Sequence, residues 1–195
     1  MGGPMPADLI LASASPRRLA LLAQIGVVPA RVLAPDVDET PLKAERPRDY
    51  VLRVAGAKAA AVPRGTGEVV LAADTSIAVG PRILGKPVDE ADLVRMLRLL
   101  SGRRHHCLSA VVVVDGAGKV RTRLSDTLVA FKPLTDAEIA GYVASGEGMG
   151  KAGGYAIQGR AEAFVRRIHG SYSGVVGLPL FETQALLATA GVAFA

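Results

Sequence analysis

The chain is poor in the residues on which several classes of protein depend. Its 195 residues include one cysteine, no tryptophan and only 4% aromatic residues. A single cysteine, Cys107, cannot form a disulfide within the chain and argues against a cysteine-based zinc site. Scarce aromatic side chains argue against a stacking platform for single-stranded nucleic acid. No apolar run reaches the ~18 residues of a membrane span, and the first residues lack the basic region of a secretory signal. We therefore expect a cytoplasmic protein with no membrane segment.

What the chain does contain indicates a folded domain with an anionic partner. Hydrophobic residues make up 50% and charged residues 21%, which excludes a disordered chain. The net charge of +5 fits partners from a nucleotide to a nucleic acid and does not choose between them. The length fits one domain. We expect a weakly ordered tail over residues 1–8 and a single α/β domain over residues 9–195.

Apolar runs alternate with amphipathic segments along the chain, which predicts an α/β sheet flanked by helices. The predicted strands cover residues 9–12, 28–33, 69–73, 107–114, 120–131 and 163–168, and residues 76–79 are predicted to continue extended after Asp74 and Thr75. The predicted helices start at Pro16 with a stripe of Leu19, Leu22 and Ile25, cover 47–62, 89–100 and 135–145, and start again at Pro179. The turn Asp115-Gly-Ala-Gly joins two strands as a hairpin, so the sheet is predicted to be mixed.

The first strand, turn and helix form a candidate anion site. Ser13 and Ser15 lie in the turn, Ser15 is a good N-cap, and Arg17 and Arg18 follow in the first helical turn. Cations are unfavourable at a helix N-terminus unless an external anion compensates for them. The alternative is an ordinary capped helix with two solvated arginines.

Two carboxylates could hold a hard cation. Asp74 follows a buried strand, where α/β sheets bind ligands, and Glu39 lies in an acidic loop. Mg²⁺ commonly takes one or two carboxylates together with substrate phosphate oxygens. The alternatives are a turn or helix cap for Asp74 and solvated surface for the loop. His105 and His106 are read as structural residues rather than metal ligands.

Two lysines and a glutamine complete the candidate residues. Lys58 falls on the apolar stripe of its helix, where it needs a carboxylate or phosphate partner unless it snorkels to solvent. Lys86 lies in a rigid Gly-Lys-Pro turn that aims its side chain. Gln158 lies in a glycine-rich segment, 146–159, and its amide suits a base edge, although this segment could also be a flexible loop. Together these residues predict a nucleoside polyphosphate site.

Seven motifs, in order from about Leu9 to Thr183, resemble the Maf family of nucleoside triphosphate pyrophosphatases, also called septum formation proteins. They are Ser13-Ala-Ser-Pro-Arg-Arg, Asp38-Glu-Thr, Ala73-Asp-Thr, Gly85-Lys-Pro, Leu100-Ser-Gly-Arg, Lys151-Ala-Gly-Gly-Tyr-Ala-Ile-Gln-Gly and Gly170-Ser-Tyr-Ser-Gly-Val-Val-Gly-Leu-Pro. One position departs from the pattern: Ser109 stands where the family commonly has Thr, and the hydroxyl is kept.

The resemblance implies a fold like that of the inosine triphosphatase (Maf/Ham) group, with the site in a cleft between two lobes. It implies hydrolysis of a nucleoside triphosphate at the α-β phosphoanhydride bond, with a divalent cation, Mg²⁺ or Mn²⁺. The motifs look like the dTTP/UTP branch, in which Asp74 corresponds to the proton acceptor. Arg17, Thr75 and Gln158 correspond to the positions that govern base specificity.

These expectations combine into one hypothesis. The triphosphate is surrounded by Ser13, Arg17, Arg18, Lys58 and Lys86. The cation is held by Glu39 and Asp74, and Asp74 also orients or deprotonates the water. Thr75 and Gln158 contact the pyrimidine edge. The expected catalytic residues are Asp74, Glu39, Lys58 and Lys86.

Three alternatives stay open. The same reaction could act on another base, such as 7-methyl-GTP or a modified pyrimidine. The chain could instead be a nucleotide-binding regulator of septum formation or cell division without essential catalysis. A basic nucleic-acid binder is disfavoured by the scarce aromatics and the dispersed basic residues. The sequence leaves open a homodimer and leaves undecided whether the cellular role is nucleotide house-cleaning or division control.

Overall fold

A computed structural model describes residues 7–194, and it contains strands and helices in alternation. The strands are β1 (Leu9–Ala12), β2 (Arg31–Leu33), β3 (Val69–Val79), β4 (Arg82–Leu84), β5 (Arg104–Val114), β6 (Val120–Phe131) and β7 (Val165–His169). The helices are α1 (Pro16–Gln24), α2 (Pro47–Ala61), α3 (Glu90–Leu100), α4 (Asp136–Ala144), α5 (Tyr172–Val176) and α6 (Leu180–Thr189). Short 3₁₀ turns cover Ala152–Gly154 and Arg160–Phe164.

The strands form one seven-stranded sheet in the order β2-β1-β3-β5-β6-β7, with β4 paired to β3. β1 runs parallel to β2 and to β3, whereas β3, β5, β6 and β7 pair antiparallel in succession. This arrangement confirms the predicted mixed α/β sheet. Residues 1–6 of the predicted tail lie outside the described residues, and the domain boundary stays a prediction.

The long strand β3 changes its neighbour part-way along one edge. Parallel β1 pairs with β3 over Val69 to Ala72, and antiparallel β4 pairs with it over Ile77 to Val79. The other edge is paired with β5 over almost the whole length, including Asp74. The segment 73–76 therefore lies where one strand has ended and the next has not begun. Such a divergence opens a crevice at the sheet edge, as at the switch points of other α/β sheets.

Three groups of buried side chains pack around this divergence. On one face of β1 and β3, residues such as Leu11 and Leu71 pack against α1 and α6. On the opposite face, Val70 and Ala72 pack against α2. Beyond the divergence, Ile77 belongs to a separate cluster with α3 and α4. The crevice lies between the part of β3 that pairs with β1 and the part that pairs with β4.

Several elements differ from the sequence predictions. The second strand begins at Arg31 rather than at residue 28, because Pro29 has no N–H for the ladder and Val28 is 85% exposed. The predicted strand 69–73 and the extended segment predicted over 76–79 form one continuous strand, β3, which runs through Asp74. Leu19, expected on the buried stripe of α1, is 41% exposed, and Leu21 is buried in its place. Helix α5 lies between the last predicted strand and the last predicted helix, in a segment for which no helix is predicted. No helix within residues 7–194 is long and apolar enough to cross a membrane.

Candidate active site

A cleft of about 590 Å³ opens at the divergence of β1 and β4 along β3. All nine residues predicted for the site line it: Ser13, Arg17, Arg18, Glu39, Lys58, Asp74, Thr75, Lys86 and Gln158. These residues come from six separate stretches of the chain, so the fold brings together what the sequence keeps apart. The lining contains five basic side chains, the fifth being Lys151, against two acidic ones. The cleft is therefore electropositive, as an anionic ligand requires.

The turn between β1 and α1 forms one wall of the cleft. Ser15 occupies the N-cap position and Pro16 the first helical position, as predicted, but the Ser15 side chain makes no capping bond. Instead, Ser13 Oγ accepts hydrogen bonds from Ser15 N and from Arg18 Nη1, each at 3.1 Å. The first turn of α1 contains no acidic residue. Its free N–H groups and helix dipole thus favour an external anion.

The two arginines of this turn are held differently. Arg18 Nε donates to the carbonyl oxygen of Gly177 at 2.9 Å, which ties α1 to the segment after α5. Arg17 forms no ion pair within residues 7–194. Burial lowers the pKa of both guanidinium groups, because it disfavours the charged form. Both still carry their charge at neutral pH, so Arg17 presents a cation that only a ligand would pair.

Lys58 lies at the centre of the polar part of the cleft. It projects from the buried side of α2, and its Nζ lies 2.6 Å from Asp74 Oδ1 and 2.7 Å from Glu39 Oε1. Of the alternatives left open for Lys58, a carboxylate partner, a phosphate partner or snorkelling to solvent, the structure shows two carboxylate partners. Tyr50, two helical turns earlier on α2, donates from its hydroxyl to the Glu39 carbonyl oxygen at 2.9 Å. Helix α2 therefore positions both the lysine and the acidic loop that it binds.

Asp74 and Glu39 have different protonation equilibria. Burial raises the pKa of Asp74 above its ordinary value, and the charges of Lys58 and Arg18 oppose this rise without cancelling it. Burial also acts to raise the pKa of Glu39, but the hydrogen bond and charge of Lys58 outweigh it, so that pKa is lowered. Burial thus makes Asp74 a better proton acceptor than an ordinary aspartate, whereas Lys58 makes Glu39 a poorer one than an ordinary glutamate.

Lys86 lies at the rim of the cleft. Its side chain is 63% exposed and its Nζ lies 3.8 Å from Glu39 Oε2. The preceding residue, Gly85, accepts a hydrogen bond from Gly153 N at 2.9 Å, which fixes the Gly-Lys-Pro turn against the glycine-rich segment. Lys86 is thus aimed at the cleft from a fixed turn and keeps room to contact a ligand.

The opposite wall carries the residues expected to contact a base. Thr75 is half-buried in β3, whereas Gln158 is exposed at the end of the glycine-rich segment. That segment passes close to β3, because a Cβ at Gly153 would come within 2.8 Å of the Ile77 side chain. Gly153 also has a φ of +68°, which side chains rarely adopt. The segment is thus a packed wall and not a flexible loop.

The two histidines lie outside the polar part of the cleft. His105 is fully buried and its Nε2 is hydrogen-bonded to the Tyr155 hydroxyl at 2.8 Å. Burial lowers the pKa of His105 to about 4, so the ring is neutral. His106 Nδ1 lies 2.7 Å from Asp126 Oδ1 on the exposed face of the sheet. Their predicted structural roles agree with these contacts.

The carboxylates fit a hard divalent cation, although residues 7–194 contain no group of three or more His, Cys, Asp and Glu residues that could bind one. Asp74 and Glu39 each bind Lys58 through one oxygen, so their carboxylates converge on a common point. Asp74 Oδ2 makes no hydrogen bond within the described chain, and Glu39 Oε2 has only the long contact to Lys86. Two carboxylate oxygens plus substrate phosphate oxygens are a common donor set for Mg²⁺.

The predicted site residues do not include four further polar side chains that line the cleft. Tyr50 and Lys151 line the cleft, as do Ser76 and Tyr155. Ser76 follows Asp74 on the same face of β3, and its buried Oγ has no hydrogen-bond partner within the described part of the chain. Ser76 begins the segment predicted to be extended over 76–79, and the period-two alternation of a strand that includes Asp74 could have identified it. Lys151 and Tyr155 lie in the glycine-rich motif quoted above, where only Gln158 is predicted to belong to the site, and no local signal marks Tyr50.

A comparison with family models settles the membership of this chain. The model described as Maf, Maf-like protein, matches residues 8–190. The chain belongs to the Maf family. Curated relatives named dTTP/UTP pyrophosphatase include one from Sphingopyxis alaskensis that is 69% identical, over 96% of this chain and 98% of the relative. A second, from Caulobacter vibrioides, is 56% identical over 94% of this chain and 95% of the relative.

Solved structures resemble this Maf chain less closely. A structure titled nucleoside-triphosphatase / dITP/XTP pyrophosphatase, from Mycobacterium abscessus, is 19% identical with a TM-score of 0.40, covering 64% of this chain and 74% of that one. The Ham1 protein of Staphylococcus aureus is 14% identical with a TM-score of 0.40, covering 64% and 71%.

Proposed function

We propose that this Maf-family chain hydrolyses dTTP and UTP to the monophosphate and pyrophosphate, with Mg²⁺ or Mn²⁺ as cofactor. The observation that carries the proposal is the joint contact of Lys58 with Asp74 and Glu39 inside an electropositive cleft. The name dTTP/UTP pyrophosphatase, given to relatives of up to 69% identity over almost the full chain, supports the choice of substrate.

The phosphate end of the substrate would lie against the turn after β1. The N–H groups of α1 and the guanidinium groups of Arg17 and Arg18 would bind its oxygens, and Lys86 would reach them from the rim. A bound triphosphate would supply the anion that two arginines at a helix N-terminus require. Lys58 and Lys86 would also stabilise the charge that develops on the transferring group.

The divalent cation, when bound by Asp74 and Glu39, would neutralise phosphate charge and polarise the phosphoryl oxygens. Asp74 would orient a water molecule toward the α-phosphorus and accept its proton. The new bond joins the water oxygen to the α-phosphorus, and the bond from that phosphorus to the α-β bridging oxygen breaks. The pyrophosphate leaves with that electron pair. The raised pKa of Asp74 suits a group that must take up a proton during the reaction.

The base would lie on the opposite side of the cleft, against Thr75 and Gln158. A site that hydrogen-bonds its base rejects a mismatched base, because buried polar groups are then left unpaired. We further propose that the protein acts on free nucleotides in the cytoplasm. The free, buried Cys107 fits that compartment. The proposal is compatible with a monomer and with a homodimer.

A panel of triphosphates with product identification tests the proposal. We expect pyrophosphate from dTTP and UTP at a higher kcat/KM than from ATP, GTP or 7-methyl-GTP. Asp74→Asn should lower kcat by at least about a hundredfold, as loss of a general base does. Asp126→Asn is the matched control, because Asp126 lies on the exposed face of β6 and bonds His106. A regulator without catalysis would release no pyrophosphate from any member of the panel.

A further inference from the structure

A chain of hydroxyl groups runs from the cleft wall into the core behind it. Thr75 lines the cleft, and Ser109 lies directly opposite it on β5 with no exposure to solvent. Their hydroxyl oxygens are 3.0 Å apart. Ser109 Oγ lies a further 2.6 Å from the carbonyl oxygen of Gly174, in helix α5. Three separate elements are therefore joined by two consecutive hydrogen bonds.

Counting hydrogens fixes the direction of both bonds. A carbonyl oxygen can only accept, so the single hydroxyl hydrogen of Ser109 is donated to Gly174. In the contact between the two hydroxyls, Ser109 must then accept and Thr75 must donate. The other protein partner of the Thr75 hydroxyl, at 3.4 Å, is the carbonyl oxygen of Gly177, which is again an acceptor. The hydrogen of Thr75 is thus directed into the protein, and only its lone pairs are left for the cleft.

We infer that Ser109 is a positioning residue for base selection, because it makes Thr75 a hydrogen-bond acceptor toward the ligand. Thymine and uracil carry an N–H at ring position N3, whereas cytosine has a bare acceptor nitrogen there. An accepting Thr75 pairs with the N–H of the first two bases, and opposite cytosine two acceptors meet with no hydrogen between them. This inference rests on the proposed function, since it requires a pyrimidine triphosphate in the cleft.

The first experiment compares kcat/KM for UTP and CTP in wild type and in Ser109→Ala. Without its acceptor on β5, the Thr75 hydroxyl keeps only the long 3.4 Å contact to the Gly177 carbonyl oxygen, so it can turn and donate to cytosine. The UTP/CTP ratio should fall about tenfold, the effect of one hydrogen bond. The change should come mainly from a lower KM for CTP, with kcat for UTP within about twofold of wild type.

Ser109→Thr and Ser109→Val form a matched pair for this position. Both add similar volume at a fully buried site, so both carry the same packing cost, and only threonine keeps the hydroxyl. We expect Ser109→Thr to keep the wild-type UTP/CTP ratio and Ser109→Val to lower it as Ser109→Ala does. Equal UTP/CTP ratios in Ser109→Thr and Ser109→Val would contradict the inference. Circular dichroism verifies that each variant is folded.

A double-mutant cycle with Thr75→Val tests whether Ser109 acts through Thr75. Thr75→Val removes the acceptor and should itself lower the UTP/CTP ratio. In that background Ser109→Ala should change the ratio no further. If Ser109→Ala lowers the ratio equally in both backgrounds, its effect passes through Gly174 and α5, and the inference is wrong. If wild type releases pyrophosphate from neither UTP nor CTP, the proposed function fails instead, and the two failures are distinguishable.

Discussion

Lys58 Nζ lies 2.6 Å from Asp74 Oδ1 and 2.7 Å from Glu39 Oε1, so one ammonium group holds together two carboxylates from distant parts of the chain. Without this cation the two negative charges would repel each other in a partly desolvated cleft. In the proposed function, this carboxylate pair would hold the divalent cation. It also places the positive charge of Lys58 where a triphosphate would bind.

Lys58→Met should therefore destabilise the protein in a pH-dependent way. Removing one partner of a buried ion pair leaves an uncompensated charge, which costs about 3 kcal/mol of the free energy of unfolding at pH 7.5. The loss should shrink as pH falls toward 5, because the orphaned carboxylates take up protons. Urea unfolding at both pH values measures it. Lys86→Met, at a side chain that is 63% exposed, is the control and should cost no more than about 0.5 kcal/mol. If the loss of unfolding free energy in Lys58→Met does not change with pH, the unpaired carboxylates are not its cause, and the prediction is wrong.

The fall of kcat/KM at acidic pH should report the protonation of Asp74. Its pKa is raised by burial and partly brought back by Lys58 and Arg18, so kcat/KM should fall on acidification at a pH above the ordinary carboxyl value. Arg18→Gln removes a charge that lowers this pKa, and the fall of kcat/KM should move to higher pH. Arg31→Gln is the matched control, since Arg31 pairs with Glu68 on another part of the molecule. If the fall of kcat/KM stays at the same pH in Arg18→Gln, this would argue that another group is the base.

Gly153→Ala should weaken the fold and the wall of the cleft together. The added Cβ would come within 2.8 Å of the Ile77 side chain, at a φ of +68°. We expect a loss of about 2 kcal/mol in the free energy of unfolding and a raised KM for UTP. Gly56→Ala, in the middle of α2 with nothing within 4 Å of the new Cβ, should instead stabilise by about 0.5–1 kcal/mol. Thermal unfolding of both variants and of wild type makes the comparison, and a stable Gly153→Ala would contradict the close packing.

The capping box of α4 should contribute stability that depends on pH. The hydrogen bond of Glu138 to Lys132, together with its bond to Thr135 N, lowers the pKa of Glu138 to about 2. Because this pKa is below the unfolded value of 4.5, the stabilisation is present above pH 4.5 and is lost as pH falls toward 2. Glu138→Gln should lower Tm at pH 7, and the difference from wild type should narrow steadily on acidification. A Tm difference that stays constant would show that the charge of Glu138 contributes nothing.

Features that depend on local sequence could be predicted well. The strand, turn and helix from Leu9 to Gln24 follow from an apolar run, a capping position and a proline at the first helical position. The inward direction of Lys58 follows from the period of its helix. The start of α4 follows from Thr135 and Glu138, whose three-residue spacing is that of a capping box, and both bonds of the box are present. In each case the determining residues are close together in the chain.

Features that depend on distant partners could not be predicted. β3 runs through Asp74 because it pairs with β1 before this residue and with β4 after it. No pattern in the neighbouring sequence indicates this change of partner strand. Helix α5 is only five residues long and starts with a polar segment, so it reads as a turn. It forms where Ser171 caps it and where β5 contacts it through Ser109. The hydroxyl chain behind Thr75 depends on strand register, which becomes visible only in the folded sheet.

The central claim is that water attacks the α-phosphorus of UTP and that pyrophosphate leaves. Hydrolysis in ¹⁸O-labelled water, with the products resolved by mass spectrometry, tests this most directly. The account predicts one ¹⁸O atom in the phosphate of UMP and none in the pyrophosphate. Label in pyrophosphate or in free phosphate, or UDP as the nucleotide product, would place the attack at another phosphorus and contradict the account.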